Sequence, residues 1–169
     1  MPFQPVEYRI GTRIIYTSSA PCIDYEWQSP AGKKMCFERV AEEMKHLKVS
    51  GVVVLLEESE IQETYGGKLK STYESFGFKV IHYPIRDHSI PRDMKSFSDL
   101  QSKLVEMTEK DQILVHCLGG LGRSGTVLAG LFITLGNDAE KAIQMVRVKN
   151  TRAVETEEQE RFLRDYAGR

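Results

Sequence analysis

HCLGGLGRSGT, residues 116–126, decides the fold, because it places a cysteine and an arginine on either side of a glycine-rich loop. Between Cys117 and Arg123 the loop holds only leucine and glycine. The apolar run QILVHC, residues 112–117, leads into the loop and has the pattern of a strand buried on both faces. Apolar residues at helical spacing follow over residues 127–135. The stretch therefore predicts a strand, a tight loop and a helix in direct succession.

The rest of the chain repeats this alternation of strand and helix. Further strand candidates are RIIYT at 13–17, GVVVLLE at 51–57 and KVIHYPI at 79–85. Helical spacing recurs over residues 37–47, through a polar stretch broken at Gly66-Gly67, and after Asp93, a predicted N-cap. A loop is predicted after the first strand, holding Pro21, Pro30 and Gly32. We expect one α/β domain over residues 1–169, with a central, mostly parallel sheet flanked by helices on both faces.

The glycine-rich loop is predicted to form an anion-binding site at the carboxyl edge of that sheet. Gly119, Gly120 and Gly122 can turn backbone N–H groups towards one centre, next to the positive end of the following helix. The same field favours the thiolate of Cys117 over its thiol. Arg123 can add two parallel donors for non-bridging oxygens. This pattern predicts a phosphoryl group held against a sulfur.

A thiolate that attacks phosphorus also needs an acid for the leaving oxygen and, later, a base for water. One carboxyl group can perform both tasks in turn if it lies near the same sheet edge. Asp87 follows the strand candidate at 79–85 and is the predicted acid. The competing carboxylates are Glu57, Glu58 and Glu60, which follow the strand candidate before it.

Three motifs carry a resemblance to a known family. HCLGGLGRSGT resembles the Cys-x5-Arg-Ser/Thr signature of the cysteine-based protein tyrosine phosphatases, and the short chain points to their small, dual-specificity-like members. HYPIRDHSIP, residues 82–91, resembles the acid segment of the cyclin-dependent-kinase-associated branch, which also favours Asp87. VETEEQE, residues 154–160, is similar to a terminal-helix motif of small archaeal-type and atypical members, in which a glutamine at the position of Gln159 helps to place water. The implied fold is phosphotyrosine protein phosphatase-like.

The resemblance implies a division of labour among five catalytic residues. Cys117 would attack phosphorus and form a phosphocysteine, while Arg123 holds the phosphoryl oxygens. Asp87 would protonate the leaving oxygen and then take a proton from water. Ser124 would hydrogen-bond the departing sulfur, and Gln159 would orient the water. A purely structural interpretation makes Asp87 a turn residue and Gln159 an exposed helix residue.

Supporting roles fall to the histidines and to the loop backbone. His116 is expected to hold the loop and help keep the thiolate, and His88 to touch substrate beside Asp87. His82 is interpreted as structural. The substrate-binding cradle is formed by the backbone N–H groups of Leu118, Gly119, Gly120, Leu121, Gly122 and Arg123. No metal and no cofactor is required by this scheme.

Composition limits the setting. Lys and Arg number 23 against 24 Asp and Glu, a net charge of -1, which favours neither nucleic acid nor a membrane surface as a partner. The sequence shows no secretory signal and no apolar run long enough for a bilayer. Cys22, Cys36 and Cys117 are too few and too scattered for a disulfide framework or a metal site, so the first two are interpreted as packing residues. An alternative pairs one of them with Cys117 under oxidation. We expect a cytoplasmic monomer.

The predicted substrate is a phosphoprotein or phosphopeptide. The interior of the loop carries no lysine or second arginine, which favours a single phosphate monoester, phosphotyrosine first and phosphoserine or phosphothreonine second. The alternatives within the superfamily are an RNA 5′-triphosphatase and a phosphoinositide phosphatase. An inactive phosphate-binding module and a sulfur-transfer or arsenate-reducing enzyme are more distant alternatives.

Overall fold

The computed structural model describes residues 3–23 and 29–169. Along the chain the elements are β1 (Val6–Ile10), β2 (Arg13–Ser18), α1 (Pro30–His46), β3 (Val49–Val54), α2 (Glu58–Tyr65), α3 (Leu69–Ser75), β4 (Lys79–His82), α4 (Met94–Lys110), β5 (Gln112–His116), α5 (Gly122–Thr134), α6 (Ala139–Lys149) and α7 (Glu157–Ala167). No helix among these described residues is long and apolar enough to span a bilayer.

The strands form a mixed sheet in the order β1-β2-β5-β3-β4. β2, β5, β3 and β4 are parallel to one another, and β1 pairs antiparallel with β2 at the edge. The mostly parallel sheet predicted from sequence is therefore confirmed. The edge strand β1 was not predicted. A short edge strand shows only a weak alternation of apolar and polar residues, and its conformation depends on pairing with its neighbour.

Helices cover both faces of the sheet, as predicted. Along β3, Val53 faces the core formed with α4 to α7, while Val52 and Val54 face the core formed with α1 to α3. β5 divides in the same way, since Val115 lies in the first core and Leu114 in the second. Burial on both faces explains why these strands are continuous apolar runs rather than alternating ones.

Element boundaries differ from prediction at three places. β3 ends at Val54 and β4 at His82, although backbone hydrogen bonds continue past both strands from Tyr83 to Val54 and from Ile85 to Leu55. α1 already begins at Pro30, within the predicted loop. Ser29 caps this helix by accepting from the Gly32 N–H at 3.0 Å, and proline suits a first turn whose N–H groups have no helical partner.

Two local predictions are confirmed. Asp93 is the N-cap of α4, and its carboxylate accepts a hydrogen bond from the Ser96 N–H at 2.7 Å. Gly66 ends α2 in the left-handed conformation, so the polar helical stretch is broken at Gly66-Gly67 as expected.

The interpretation of Cys22 and Cys36 as separate packing residues is wrong. The two residues form a disulfide, with their Cα atoms 5.9 Å apart, and Cys117 is the free, buried cysteine. The turn after β2 comes back against the second turn of α1, so residues 14 positions apart meet. The scarcity of cysteines therefore gives no support to the expected cytoplasmic location, since disulfides are uncommon in reducing compartments.

Candidate active site

The loop between β5 and α5 lies at the carboxyl edge of the sheet, packed against the end of β2. Gly120 adopts φ of 73°, and a Cβ there would lie 2.5 Å from the carbonyl carbon of Ser18. The Ala20 N–H donates to the Leu118 carbonyl at 2.9 Å, which also holds the loop against the segment that follows β2. Only glycine fits this position, because it meets both the positive φ and the close approach of another backbone.

The loop turns a backbone donor onto the sulfur of Cys117. The Gly120 N–H lies 3.2 Å from Cys117 Sγ, and the cysteine is 3% exposed. The Gly120 N–H is thus a donor aimed at the sulfur, and the N-terminus of α5 begins close by at Gly122. Cys117, Leu118, Gly119, Leu121 and Arg123 line a cleft of about 800 Å³.

Arg123 is held by three groups from two neighbouring segments. Glu60 on α2 accepts two hydrogen bonds from the guanidinium, at 2.7 and 2.9 Å, and the Ile85 carbonyl accepts a third at 3.0 Å. Asp87 Oδ1 lies 3.0 Å from the same guanidinium. Burial opposes the charge, but the Glu60 hydrogen bonds and the negative charges of Cys117, Glu60 and Asp87 outweigh it and raise the pKa of Arg123. The arginine is therefore a fixed cation aimed into the cleft.

The structure separates the four carboxylates that competed for the acid role. Asp87 lines the cleft with about half of its side chain exposed. Glu57 caps α2 together with Glu60, whose Oε2 accepts from the Glu57 N–H at 2.8 Å. Glu58 pairs with Lys70 away from the cleft lining. Asp87 is thus the one of the four that faces the space where a leaving group would lie.

His116 connects the loop to the second core. Its Nδ1 lies 3.3 Å from the Cys117 carbonyl oxygen and its Nε2 lies 3.2 Å from the Tyr73 hydroxyl. Burial lowers the pKa of His116 to about 4, and the nearby charge of Arg123 acts in the same direction. The ring is therefore neutral near pH 7. Because a carbonyl can only accept, the proton is assigned to Nδ1, and Nε2 accepts from Tyr73.

Ser124 and Gln159 are both buried beside the loop. The Ser124 hydroxyl has no hydrogen-bond partner within the described ranges. Gln159 is not an exposed helix residue: its Nε2 donates to the Ser89 carbonyl at 3.0 Å, and its Oε1 accepts from the Glu155 N–H at 2.9 Å. Both ends of the amide are occupied by backbone groups, so orienting water would require one of these bonds to open.

His82 is the last residue of β4, and His88 lies in the segment that follows this strand. His88 lines the cleft with its Nε2 3.6 Å from Asp87 Oδ2, and its φ of 55° is unusual for a residue with a side chain. His82 Nε2 lies 2.8 Å from the Leu56 carbonyl oxygen, just past the end of β3, and the ring donates because a carbonyl can only accept. His82 is therefore structural, as predicted.

Sequence reasoning missed three parts of this site. Glu60 was considered only as a rival acid, although it holds Arg123 from 63 positions away. Tyr73 was not connected with His116, since helical spacing marks it only as a core residue. The disulfide of Cys22 and Cys36 lines the same cleft as Cys117, and no spacing rule in the sequence indicates that.

Comparisons with known proteins agree with this geometry. The chain is 29% identical over 133 residues to the cyclin-dependent kinase inhibitor 3 of Rattus norvegicus, a match that covers 76% of this chain and 62% of that protein. The chain thus spans less than two thirds of the length of this relative. Its human counterpart is 28% identical over the same extent.

Solved structures show the same fold. A kinase associated phosphatase whose catalytic-site cysteine is replaced by serine superposes with a TM-score of 0.85 at 22% identity, covering 99% of this chain and 96% of that one. Tk-PTP in its active form gives a TM-score of 0.76 at 29% identity, with 98% of each chain covered. The family model described as polymorphic toxin system, DSP-PTPase phosphatase matches residues 31–137, and this chain therefore belongs to the DSP-PTPase phosphatases, which confirms the resemblance drawn from its motifs.

Proposed function

We propose that this chain hydrolyses phosphate monoesters on polypeptides, phosphotyrosine first of all, through a phosphocysteine intermediate. One observation carries the proposal: Cys117 Sγ accepts from the Gly120 N–H at 3.2 Å in a cleft into which the buried Arg123 also points. A nucleophile, backbone donors and a fixed planar cation are thus available together for a tetrahedral anion.

In the first step the Cys117 thiolate attacks phosphorus. The sulfur–phosphorus bond forms as the bond from phosphorus to the leaving oxygen breaks, and Asp87 in its acid form donates a proton to that oxygen. Arg123 and the loop N–H groups hold the three non-bridging oxygens as negative charge builds on them.

Entry of the phosphoryl group requires an exchange at Arg123. Asp87 Oδ1 lies 3.0 Å from the guanidinium, whereas Glu60 holds it through two hydrogen bonds. Asp87 is also the more exposed of the two, with 51% of its side chain accessible against 19% for Glu60. The incoming oxygens therefore replace Asp87, which is freed to face the leaving group, while Glu60 keeps the arginine in position.

In the second step water attacks the phosphocysteine. Asp87 takes a proton from water, the sulfur–phosphorus bond breaks, and inorganic phosphate leaves with the thiolate restored. The unpartnered hydroxyl of Ser124 is available to donate to the departing sulfur. Gln159 lies next to Gly122, since its amide atoms would be 3.2 Å from a Cβ there, and it orients water once its bond to Ser89 opens.

The charges of the cleft favour a substrate with one phosphate. Arg39 and Arg152 line it, but Glu43 and Glu155 line it as well, and the loop adds only Arg123. A phosphoinositide or a triphosphorylated RNA end would need a surplus of positive charge beyond a single phosphate site. A phosphoprotein substrate and a monomeric state complete the proposal, and the kinase-related names of the relatives support the phosphoprotein nature of the substrate. The cytoplasmic location expected from the sequence is not part of the proposal, because a disulfide such as Cys22–Cys36 is uncommon in a reducing compartment.

Hydrolysis of p-nitrophenyl phosphate in EDTA, by the native chain and by Cys117→Ser, tests the chemistry. We expect turnover by the native chain and a loss of at least about 10³-fold in the variant, since serine is a far weaker nucleophile at neutral pH. Ser98→Ala, on the exposed face of α4, is a control for the handling of the variant. Retained turnover in Cys117→Ser would refute the proposal.

A further inference from the structure

The disulfide of Cys22 and Cys36 belongs to the wall of the catalytic cleft. Cys22 follows β2 by four residues and Cys36 lies in the second turn of α1. Both cysteines line the cleft that also holds Cys117. We refer to the surface formed by residues 19–23 and the cleft-facing side of α1 as the disulfide wall.

The disulfide wall is held by hydrogen bonds at its base and by the disulfide at its rim. At the base, the Ala20 N–H donates to the catalytic loop, and the Pro21 carbonyl accepts from the Tyr65 hydroxyl at 2.7 Å. Further out, Cys22 and Ile23 make no hydrogen bond to any residue within 3–23 or 29–169. Among the described residues, the disulfide is the bond that ties the rim of the wall to α1, and Cys22 also packs against the core formed with α1 to α3.

The backbone of Cys22 needs such a connection. Its φ is 57°, in the left-handed region, which a residue with a Cβ occupies only when its surroundings hold it there. Without the covalent bond, the turn at Cys22 is free to relax towards ordinary φ values. That relaxation would displace Ile23, which is 37% exposed at the mouth of the cleft.

We propose that the disulfide wall receives the residues next to the phosphorylated side chain of the substrate, and that reduction of the Cys22–Cys36 bond weakens this recognition. The inference rests on the proposed phosphoprotein substrate. The cleft of about 800 Å³ is larger than one phosphorylated side chain requires. On this side Ile23 offers an exposed apolar side chain, next to the charged Arg39 and Glu43 of α1. The wall therefore favours an extended polypeptide with an apolar residue beside the phosphorylated one.

The redox step needs a dithiol reductant. One of its thiolates attacks a sulfur of the Cys22–Cys36 bond, which breaks and leaves a mixed disulfide and one free cysteine thiolate. The second thiol of the reductant then attacks the mixed disulfide. Two electrons and two protons have passed to the protein, which now holds two thiols, and the reductant has become a disulfide.

The wall acts on recognition rather than on phosphoryl transfer. Arg123 is fixed by Glu60 and Ile85, and Asp87 enters from the segment after β4, so neither is carried by the disulfide wall. The hydrogen bond from the Ala20 N–H to the Leu118 carbonyl joins the wall to the catalytic loop at the base of the wall, away from the disulfide. We therefore expect reduction to change the ratio of two specificity constants, that of a phosphotyrosyl peptide with apolar neighbours and that of p-nitrophenyl phosphate.

The test compares the native chain with Cys22→Ser/Cys36→Ser, each with and without dithiothreitol. Alkylation with iodoacetamide followed by mass spectrometry first establishes which cysteines are free. In the oxidised native chain we expect only Cys117 to be alkylated. The KM for the peptide should be about three- to tenfold higher in the double variant, because a mobile wall must be ordered on binding. Dithiothreitol should raise the KM of the native chain to the value of the variant and leave the KM of the variant unchanged.

Controls keep the outcome interpretable. Met35→Ser replaces an exposed neighbour of Cys36 that lies outside the cleft lining, and it should match the native chain with both substrates. If the double variant does not fold, the effect of dithiothreitol on the native chain decides the question. Equal peptide KM values in oxidised and reduced native protein, or alkylation of all three cysteines before reduction, would overturn the inference.

Failure of the proposed function is recognised separately. If the native chain hydrolyses neither substrate, peptide binding to Cys117→Ser is measured by calorimetry before and after reduction. Weaker peptide binding after reduction supports the proposed role of the disulfide wall even without turnover. Unchanged or absent binding overturns that role.

Discussion

The two sides of the catalytic cleft are held together by different means. On the side of the catalytic loop, Arg123 and His116 are buried, and each is fixed by hydrogen bonds from distant elements, with Glu60 and Tyr73 as partners. On the opposite side, the disulfide wall depends at its rim on one covalent bond. The residues proposed for the chemistry are thus held by a preorganised network without cysteine bonds, whereas the part that we propose for substrate recognition is one that reduction can loosen.

The largest effect is expected on the loop side, from Arg123→Lys. Lysine keeps the charge but loses the planar fork that serves Glu60 and the phosphoryl oxygens at once. The kcat/KM for p-nitrophenyl phosphate should fall by about 10³-fold, a loss typical of a transition-state donor. A fall of less than about fivefold would mean that the positive charge alone is sufficient and that the planar geometry of arginine is not required.

Asp87→Asn should have the next largest effect. Asparagine cannot donate an acidic proton, so kcat should fall about 10²-fold for p-nitrophenyl phosphate and further for a phosphoserine peptide, whose leaving group is more basic. Asp99→Asn, a change at an exposed acid of α4, is the matched control. Equal losses for the two substrates would assign the acid to another residue.

The buried imidazole of His116 should make the loop side sensitive to acid. Its pKa is about 4 when folded and near 6.5 when unfolded, so the unfolded chain binds the proton first. The stability contributed by the neutral ring is present above pH 6.5 and is lost as the pH falls towards 4. Between pH 7 and pH 5 the free energy of unfolding should drop by about 2 kcal/mol more in the native chain than in His116→Asn.

Urea unfolding at the two pH values measures this difference. Parallel losses in both proteins would show that other groups, and not His116, account for the acid sensitivity.

Glu60→Gln should have the smallest effect of the four. Glutamine has one acceptor oxygen, which in the place of Oε2 can still serve Arg123 and the Glu57 N–H. In the place of Oε1 its NH2 group cannot accept from Arg123, and the charge that holds the guanidinium is lost. We expect kcat for p-nitrophenyl phosphate to fall about tenfold, in line with the loss of one hydrogen bond to a charged group. KM for phosphopeptide should change less than kcat, since Glu60 acts through Arg123. Glu58→Gln, at the neighbouring position, should leave both constants near native values, and a drop there would point to damage of α2.

The same division explains what could be predicted from the sequence. The runs at 51–57 and 112–117 predicted strands buried on both faces because local composition alone determines that pattern. The catalytic loop was also predictable, since Cys117 and Arg123 lie in one short stretch of the sequence and no distant residue is needed to recognise the motif. The position of Asp87 beside the cleft could be predicted because the carboxyl ends of parallel strands meet at one sheet edge, and its role as the acid stays a prediction.

The missed features all depend on contacts between distant positions. Glu60 lies 63 positions before Arg123, and Tyr73 lies 43 before His116. The Cys22–Cys36 bond requires the turn after β2 to fold back on α1, which no periodicity indicates. Gln159 was expected in one alternative to be exposed, but its helix begins against the catalytic loop and buries it.

Trapping the covalent intermediate tests the central claim most directly. Native protein turning over p-nitrophenyl phosphate is quenched rapidly in denaturant, digested, and analysed by mass spectrometry for a phosphoryl group. The account predicts that the peptide containing Cys117 carries the phosphoryl group, and that Cys117→Ser yields no labelled peptide and no turnover. A phosphoryl group on another residue, or turnover by Cys117→Ser, would contradict it.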